Sequence, residues 1–242
     1  MSAEQRAARA ARPGGTAPPA GPDLEDRHAV VDRVKRLADV VVAATALVAL
    51  SPVLAAVAVV VARTLGTPVL FRQERPGLHG VPFVLVKFRT MRVVDAARGR
   101  VTNEDRVTPV GQLLRATSLD ELPSLWNVLR GDMSLVGPRP LLMAYLPLYT
   151  PEQAVRHRVR PGLTGLAQVN GRNALDWESR LALDAQYVAT RSIALDLRIL
   201  AATVAVVLRR DGISSDGSVV GAPFPGSAAP GDRARSTEVS DG

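Results

Sequence analysis

The sequence predicts an α+β fold. A re-entrant N-terminal membrane helix hairpin is expected over residues 29–63. A small, mostly helical domain opening with a short β-hairpin is expected over 64–211. Three observations carry this reading. Val40–Ala62 is an apolar run of 23 residues without a charge, interrupted midway by Ser51-Pro52. Two β-prone segments, Val69–Phe71 and Phe83–Val86, are separated by Pro76-Gly77 and His79-Gly80. Most of the remaining chain repeats apolar residues at helical spacing.

The ends come first. Residues 1–28 are rich in Ala, Arg, Gly and Pro, lack apolar periodicity and read as a disordered tail. They do not read as a signal peptide, because the apolar run starts late and no small-residue cleavage site follows it. Residues 212–242, built of Gly, Ser, Pro and acids, read as a second tail. The apolar run matches the roughly 20 residues that a spanning helix needs. Pro52 removes a backbone donor and crowds the preceding turn, so the helix is expected to break there. Each half, Val40–Leu50 and Val53–Ala62, would be about 16 Å long, half of a roughly 30 Å hydrocarbon core. Arg33, Lys35 and Arg36 precede the run, and Arg63, Arg72 and Arg75 follow it. Basic flanks favour the cytoplasmic face, and a hairpin that returns to that face satisfies both. A proline-kinked single span stays open on the residues alone. A wholly soluble buried helix is disfavoured by the length of the run.

Behind the β-hairpin, residues 93–108 are polar and read as a loop. Val110–Arg115 reads as a short helix, and Leu122–Leu129 as a helix stopped by Gly131. Residues 151–158 and 176–190 read as amphipathic helices. Asp196–Arg210 is expected to be a helix with Arg209-Arg210 at its C-terminal end, where cations suit the dipole. Its apolar stretch Ile199–Leu208 suits either core packing or a membrane interface.

Composition removes several classes of chemistry. There is no cysteine, which excludes disulfides, Cys-ligated zinc, iron–sulfur clusters and thiol catalysis. The three histidines, His28, His79 and His157, are widely spaced, which argues against a His-based metal site or a Ser/His/Asp triad. No G-x-G-x-x-G, Walker A or H-E-x-x-H pattern occurs. Residues 29–210 hold 24 basic and 14 acidic side chains, a net of +10. That excess suits anionic partners, although a GC-rich genome would also favour arginine. Nucleic acid is disfavoured as a partner. Only 4% of residues are aromatic, which leaves few stacking platforms, and the apolar run has no use there.

Four segments are candidates for chemistry. Asp120-Glu121-Leu122-Pro123 places two carboxylates at the electropositive start of the Leu122–Leu129 helix. They suit a phosphate site or Mg²⁺, but they also suit a mere capping box with Ser118. In the segment Gly131–Pro140, two prolines clamp Arg139, and a rigidly presented guanidinium suits a diphosphate. A tight turn with an exposed Arg is the plainer alternative. Lys87-Phe88-Arg89-Thr90-Met91 ends a predicted strand, and Lys87 is one of only two lysines beside 28 arginines. The stretch Arg160–Arg172 is a Gly-rich loop suited to close approach to a ligand.

KFRTM, TSLDELPSLWNVLRGDMSLVGPRP, RPGLTGLAQVNGR and SIALDLRIL follow in this order behind an apolar run broken at Ser-Pro. Together they resemble the bacterial sugar transferases, the monotopic phosphoglycosyl transferases, over about Lys35 to Arg210. The chain looks like the minimal, single-domain form of that family. The resemblance implies transfer of a sugar-1-phosphate from a UDP-sugar to a polyprenyl phosphate such as undecaprenyl phosphate. This is the priming step of exopolysaccharide, capsule, O-antigen or glycoprotein glycan synthesis. It implies Asp120 as nucleophile, forming a phosphosugar-aspartyl intermediate, and Glu121 as the assisting acid. Asp120 and Glu121 together would hold Mg²⁺. Lys87, Arg89 and Arg139 match positions that would hold the diphosphate. Asp196 matches a further acid whose role is left open. The resemblance places the break at Ser51 and Pro52 inside the bilayer. The catalytic domain is then expected at the cytoplasmic face of the inner membrane, in contact with membrane lipid. Downstream glycosyltransferases and a second copy of the chain are the protein partners this reading admits. A non-catalytic membrane-anchored scaffold is the alternative, and it would not need the GPRP and RPGLTG segments.

Overall fold

The structure, a computed structural model, describes residues 22–99, 101–171, 175–209 and 224–226. Most of the two sequence-predicted tails, as well as Arg172 and Arg210, lie outside the described residues. The first helix, α1 (Pro22–Ala49), starts seven residues ahead of position 29 and is followed by α2 (Ser51–Leu65). The two change direction by 63° at their junction. Among the described residues no single helix is long and apolar enough to cross a membrane; α1 and α2 meet that test only as a bent pair.

The break has a local cause. Pro52 lies in the first turn of α2, where its missing N–H is tolerated. It therefore gives nothing to the carbonyl one turn back, and the Ser51 hydroxyl donates to that carbonyl, Val48 O, at 2.8 Å. Leu50 N reaches Ala46 O at 2.8 Å and Leu54 N reaches Leu50 O at 2.9 Å, so backbone hydrogen bonds continue on both sides of the bend.

The first half of α1 docks on the body through one helical face. Lys35 pairs with Asp196. Arg36 donates to Val128 O and Leu129 O at 2.6 and 2.8 Å, closing the end of the next long-range partner, the helix over 125–130. Buried Asp39 accepts from Leu135 N at 3.0 Å, and Asp32 pairs with Arg191 at 3.2 Å. The opposite face of α1 presents Val30, Val34, Leu37, Val41 and Val48 outward. Lys35 and Arg36, counted from sequence as a basic membrane flank, are thus bound to the body.

After α2 come β1 (Leu70–Pro76) and β2 (Pro82–Phe88), antiparallel with Phe71 opposite Lys87. Then follow α3 (Asn103–Arg106), α4 (Pro109–Ala116), a 3-10 helix Leu119–Ser124, α5 (Leu125–Arg130) and β3 (Ser134–Val136). A 3-10 turn Met143–Leu148 leads to α6 (Pro151–Ala154), which runs on as a 3-10 turn, Val155–Arg158. The chain closes with β4 (Gly162–Thr164), α7 (Leu166–Val169), α8 (Trp177–Thr190) and α9 (Ile193–Arg209). Thr108, Thr150 and Asp176 cap α4, α6 and α8 through their side-chain oxygens.

Two core clusters bind the bent pair of helices to the body. Ala43 of α1 packs with Leu125, Val128, Met133 and Tyr187. Val57 and Val61 of α2 pack with Phe88 and Leu114. The parallel pair β3–β4 was not anticipated. It also corrects the reading of the Gly-rich loop. A Cβ on Gly162 would lie 2.1 Å from Gly137 N, and one on Gly165 would lie 2.1 Å from Gly137 O. These glycines admit the GPRP backbone, so their close approach is to the protein's own chain. A third cluster holds Phe224, which packs on Tyr145, Tyr149 and Trp177 with only 5% of its surface exposed. Part of the sequence-predicted C-terminal tail is therefore core.

Candidate active site

The site forms where β2 meets the 3-10 helix that feeds α5. Asn127 accepts from Val86 N at 3.0 Å and donates to Val84 O at 2.8 Å. The Ser124 hydroxyl donates to Val86 O at 2.7 Å. These bonds fix the 3-10 helix on the strand and bring Lys87 beside the carboxylates of Asp120 and Glu121. Ser118 takes a left-handed backbone and makes no side-chain cap, so the capping-box reading of the acidic pair does not hold. The expected Leu122–Leu129 helix is a 3-10 turn around Pro123 followed by α5, with both acids in its first turn.

Asp120 is buried, 4% exposed. Burial, with Glu121 adding to it, raises its pKa to about 6, against the pull of Lys87, Arg139 and Arg115. Burial in turn lowers the Lys87 ammonium below its usual range. Arg139 binds Glu121 at 2.5 Å, with 47% of the Arg139 side chain exposed. Its backbone is held from behind. Arg156 donates to Arg139 O at 2.6 Å and is itself paired with Asp184 at 2.8 Å, both side chains 2% exposed. The Pro-clamped guanidinium predicted from sequence is thus fixed at both ends.

Two site residues escaped the sequence reading. Arg115, in the last turn of α4, donates its Nε to Thr90 Oγ1 at 2.8 Å and acts on Asp120. The available signal was spacing, since the predicted Val110–Arg115 helix ends five residues before Asp120. Arg75, read only as a membrane flank, donates to Gln73 Oε1 at 2.6 Å. It has a buried Nε without a partner, and its pKa is lowered by burial and by neighbouring Arg139.

Two predicted site residues stand elsewhere. Arg89 is buried and donates to the carbonyls of Leu65 (2.5 Å), Gly66 and Thr67 (3.3 Å), so it fastens the exit of α2 rather than facing the carboxylates. Asp196 pairs with Lys35 and accepts from the Tyr187 hydroxyl at 2.8 Å, which makes it an anchor for α1.

Lys87, Arg115 and Arg139 outnumber the two carboxylates, with Arg75 adjoining. The centre is net cationic around the buried Asp120 carboxylate, an arrangement suited to a dianionic diphosphate. Among the described residues no group of three or more acidic or His side chains is placed to hold a metal ion. Two adjacent carboxylates are too few for a protein-only site. They fit Mg²⁺ that arrives on a diphosphate, since this ion takes one or two carboxylates together with phosphate oxygens.

This cationic carboxylate centre suits an enzyme that transfers a phosphorylated sugar. Residues 30–210 match the model of the family described as Bacterial sugar transferase. The chain belongs to that family and is a phosphoglycosyl transferase. It is 51% identical over 195 residues to the "Uncharacterized sugar transferase EpsL" of Bacillus subtilis, covering 80% of this chain and 96% of that one. It is 45% identical over 215 residues to the "UDP-glucose:undecaprenyl-phosphate glucose-1-phosphate transferase" of Caulobacter vibrioides, covering 83% and 76%. It is 39% identical over 191 residues to the "Exopolysaccharide production protein ExoY" of Rhizobium meliloti, covering 72% and 84%.

Proposed function

We propose that the protein moves a sugar-1-phosphate from a UDP-sugar to a polyprenyl phosphate, through a phosphosugar bound covalently to Asp120. We also propose that this primes the synthesis of an exopolysaccharide or related glycan. The observation that carries the reading is a buried carboxylate, half-ionised at about pH 6, set among Lys87, Arg115 and Arg139. The names of the Caulobacter and Rhizobium relatives support the substrate pair and the polymer.

The chemistry balances without an external proton. An Asp120 oxygen attacks the sugar-bearing phosphorus, and the bond from that phosphorus to the bridging oxygen breaks. UMP leaves with the electron pair while Arg139, Lys87 and Arg115 hold the charge that develops on the phosphate oxygens. A phosphate oxygen of the acceptor then attacks the same phosphorus, and Asp120 departs as the free carboxylate. Burial strips water from Asp120 and favours attack over hydrolysis. Glu121 keeps Arg139 aimed at the diphosphate. Mg²⁺ bound through Asp120 or Glu121 would neutralise the diphosphate and stabilise the leaving UMP.

We place α1 and α2 in the inner membrane as a re-entrant pair with both ends cytoplasmic. The bend at Ser51-Pro52 and the exposed apolar faces support this. Replacing Ser51-Pro52 with Ala-Leu should straighten the pair and impair transfer, and a reporter on the N-terminus that reads outside the cell would overturn the topology. The covalent step is tested with labelled UDP-sugar and Mg²⁺ but no lipid acceptor. Up to one UMP per enzyme should appear, together with a sugar-phosphate adduct on the Asp120 peptide. UMP release only when acceptor is added, with no adduct, would favour direct transfer.

A further inference from the structure

A cavity of about 210 Å³ opens beneath the first half of α1, lined by residues of α1, the hairpin turn and the segment before β4. It lies at the far end of α5 from the catalytic centre. Arg36 and Arg160 hold the carbonyls of Val128, Leu129 and Gly131 there, whereas Asp120 precedes the N-terminus of α5. We propose that this cavity is a second phosphate-recognising site, outside the Asp120 centre and not used by the transfer reaction.

Charge is the first reason. Five cationic side chains line the cavity, against the carboxylates of Asp32 and Asp39. Lys35 is neutralised by Asp196 and Arg191 by Asp32. Arg158 has no hydrogen-bond or ion-pair partner among the described residues. Arg160 spends its Nε on Gly131 O at 2.9 Å, which leaves the rest of its guanidinium for a ligand. Arg36 is spent on two carbonyls, so Arg158 and Arg160, neither paired with a carboxylate, form an incomplete anion grip.

The second reason is an orphan donor. Ser134 is among the residues that line the cavity, is 1% exposed, and has a buried hydroxyl with no hydrogen-bond partner. Buried hydroxyls without partners are rare and call for an explanation, and a phosphate oxygen beside two guanidiniums supplies one. His79, also on the wall, holds a left-handed backbone at φ 56°, an uncommon state for a residue other than glycine.

The phosphate has two sources, a phospholipid headgroup and soluble phosphate. The lipid source rests on the membrane placement proposed above. Extraction of the chain without detergent would overturn that placement and leave the soluble arm standing.

The test uses the full chain in detergent with Arg139→Ala as background, so that the catalytic centre contributes little. Isothermal titration is run with inorganic phosphate, with dihexanoyl phosphatidylglycerol and with dihexanoyl phosphatidylcholine. The proposal expects phosphate, phosphatidylglycerol or both to bind, and phosphatidylcholine to bind at least tenfold more weakly than the better of them. Binding of phosphatidylglycerol alone identifies the headgroup, and binding of phosphate alone the soluble anion. Adding Arg158→Gln, or separately Ser134→Ala, should weaken that binding about tenfold, while Arg158→Gln in the wild-type protein leaves UMP release unchanged. Equal binding of the two lipids, no binding of either anion, or full retention in both variants overturns the site.

Discussion

Replacing Asp120 by Asn separates the chemistry proposed for this carboxylate from what it does to the fold. The carboxyl titrates at about 6 in the folded protein, against 3.8 in the unfolded chain. That figure already sets burial and Glu121 against the attraction of Lys87, Arg139 and Arg115. The sign follows from linkage. A raised folded-state pKa means that the folded protein binds the proton more tightly, so stability is unpenalised below about 3.8 and is lost as pH rises through about 6. A shift of roughly two units corresponds to about 3 kcal/mol at neutral pH. Asp120→Asn keeps the shape and carries no charge. At pH 7.5 it should therefore unfold several degrees higher than the wild type, given about 2–4 °C per kcal/mol for a chain of this size. The assay is thermal unfolding of both proteins in one detergent, from pH 4 to 8, with UMP release measured in parallel. The gap should widen from pH 4 to pH 7 while the Asn protein releases no UMP. A variant that is less stable than wild type at pH 7.5, or a gap that does not change with pH, would refute the claim that Asp120 is held ionised against its burial.

Four further outcomes follow from the same geometry. The burst of UMP from UDP-sugar alone should fall about tenfold per pH unit below about 6, as Asp120 gains its proton; a pH-independent burst would remove it as the attacking group. Arg139→Ala and Arg115→Ala should each slow transfer tenfold or more, from the loss of roughly 1.5–3 kcal/mol of charge-assisted bonding, whereas exposed Arg72→Ala should leave the rate unchanged. Asp184→Asn strands the Arg156 charge in the core, an effect of about 3–5 kcal/mol, and should lower the unfolding temperature as well as the rate. Arg89→Ala should loosen α2, read as faster proteolysis near Gly66, with a smaller loss of UDP-sugar affinity than Lys87→Ala.

Long patterns were legible in the sequence and single side chains were not. The apolar run, its break at Ser51-Pro52, the β-hairpin and helices α8 and α9 follow from periodicity and breakers, which local physics enforces. The acidic pair was singled out by its place at the start of a predicted helix and Arg139 by its flanking prolines, and the fold brings the two together. Arg89 was misread because it lies one residue beyond β2, so the alternation that directs Lys87 toward the site no longer governs it. The role of Asp196 stayed open in the sequence because its partner, Lys35, is 161 positions away. Arg156 and Asp184 were missed for the same reason, since only the folded chain brings them together. The strands β3 and β4 have three residues each and sit in Gly- and Pro-rich stretches that carry no period-two signal. Phe224 was lost among residues of tail-like composition, and the Tyr145, Tyr149 and Trp177 rings that receive it come together only in the folded chain.

The ties between α1 and the body have a mechanical meaning. Asp32, Lys35, Arg36 and Asp39 bind four separate parts of the domain within two helical turns. No free joint separates the helix from the catalytic body, so the two turn and rise as one piece. With α1 set in the bilayer as proposed, the height of Asp120 above the lipid is fixed by this rivet line rather than by a swinging linker. The enzyme then works as a depth gauge, meeting acceptor phosphates only at the level where its own helix seats it. Bilayer thickness, which shifts that seat, should therefore tune the second half of the reaction without touching the first.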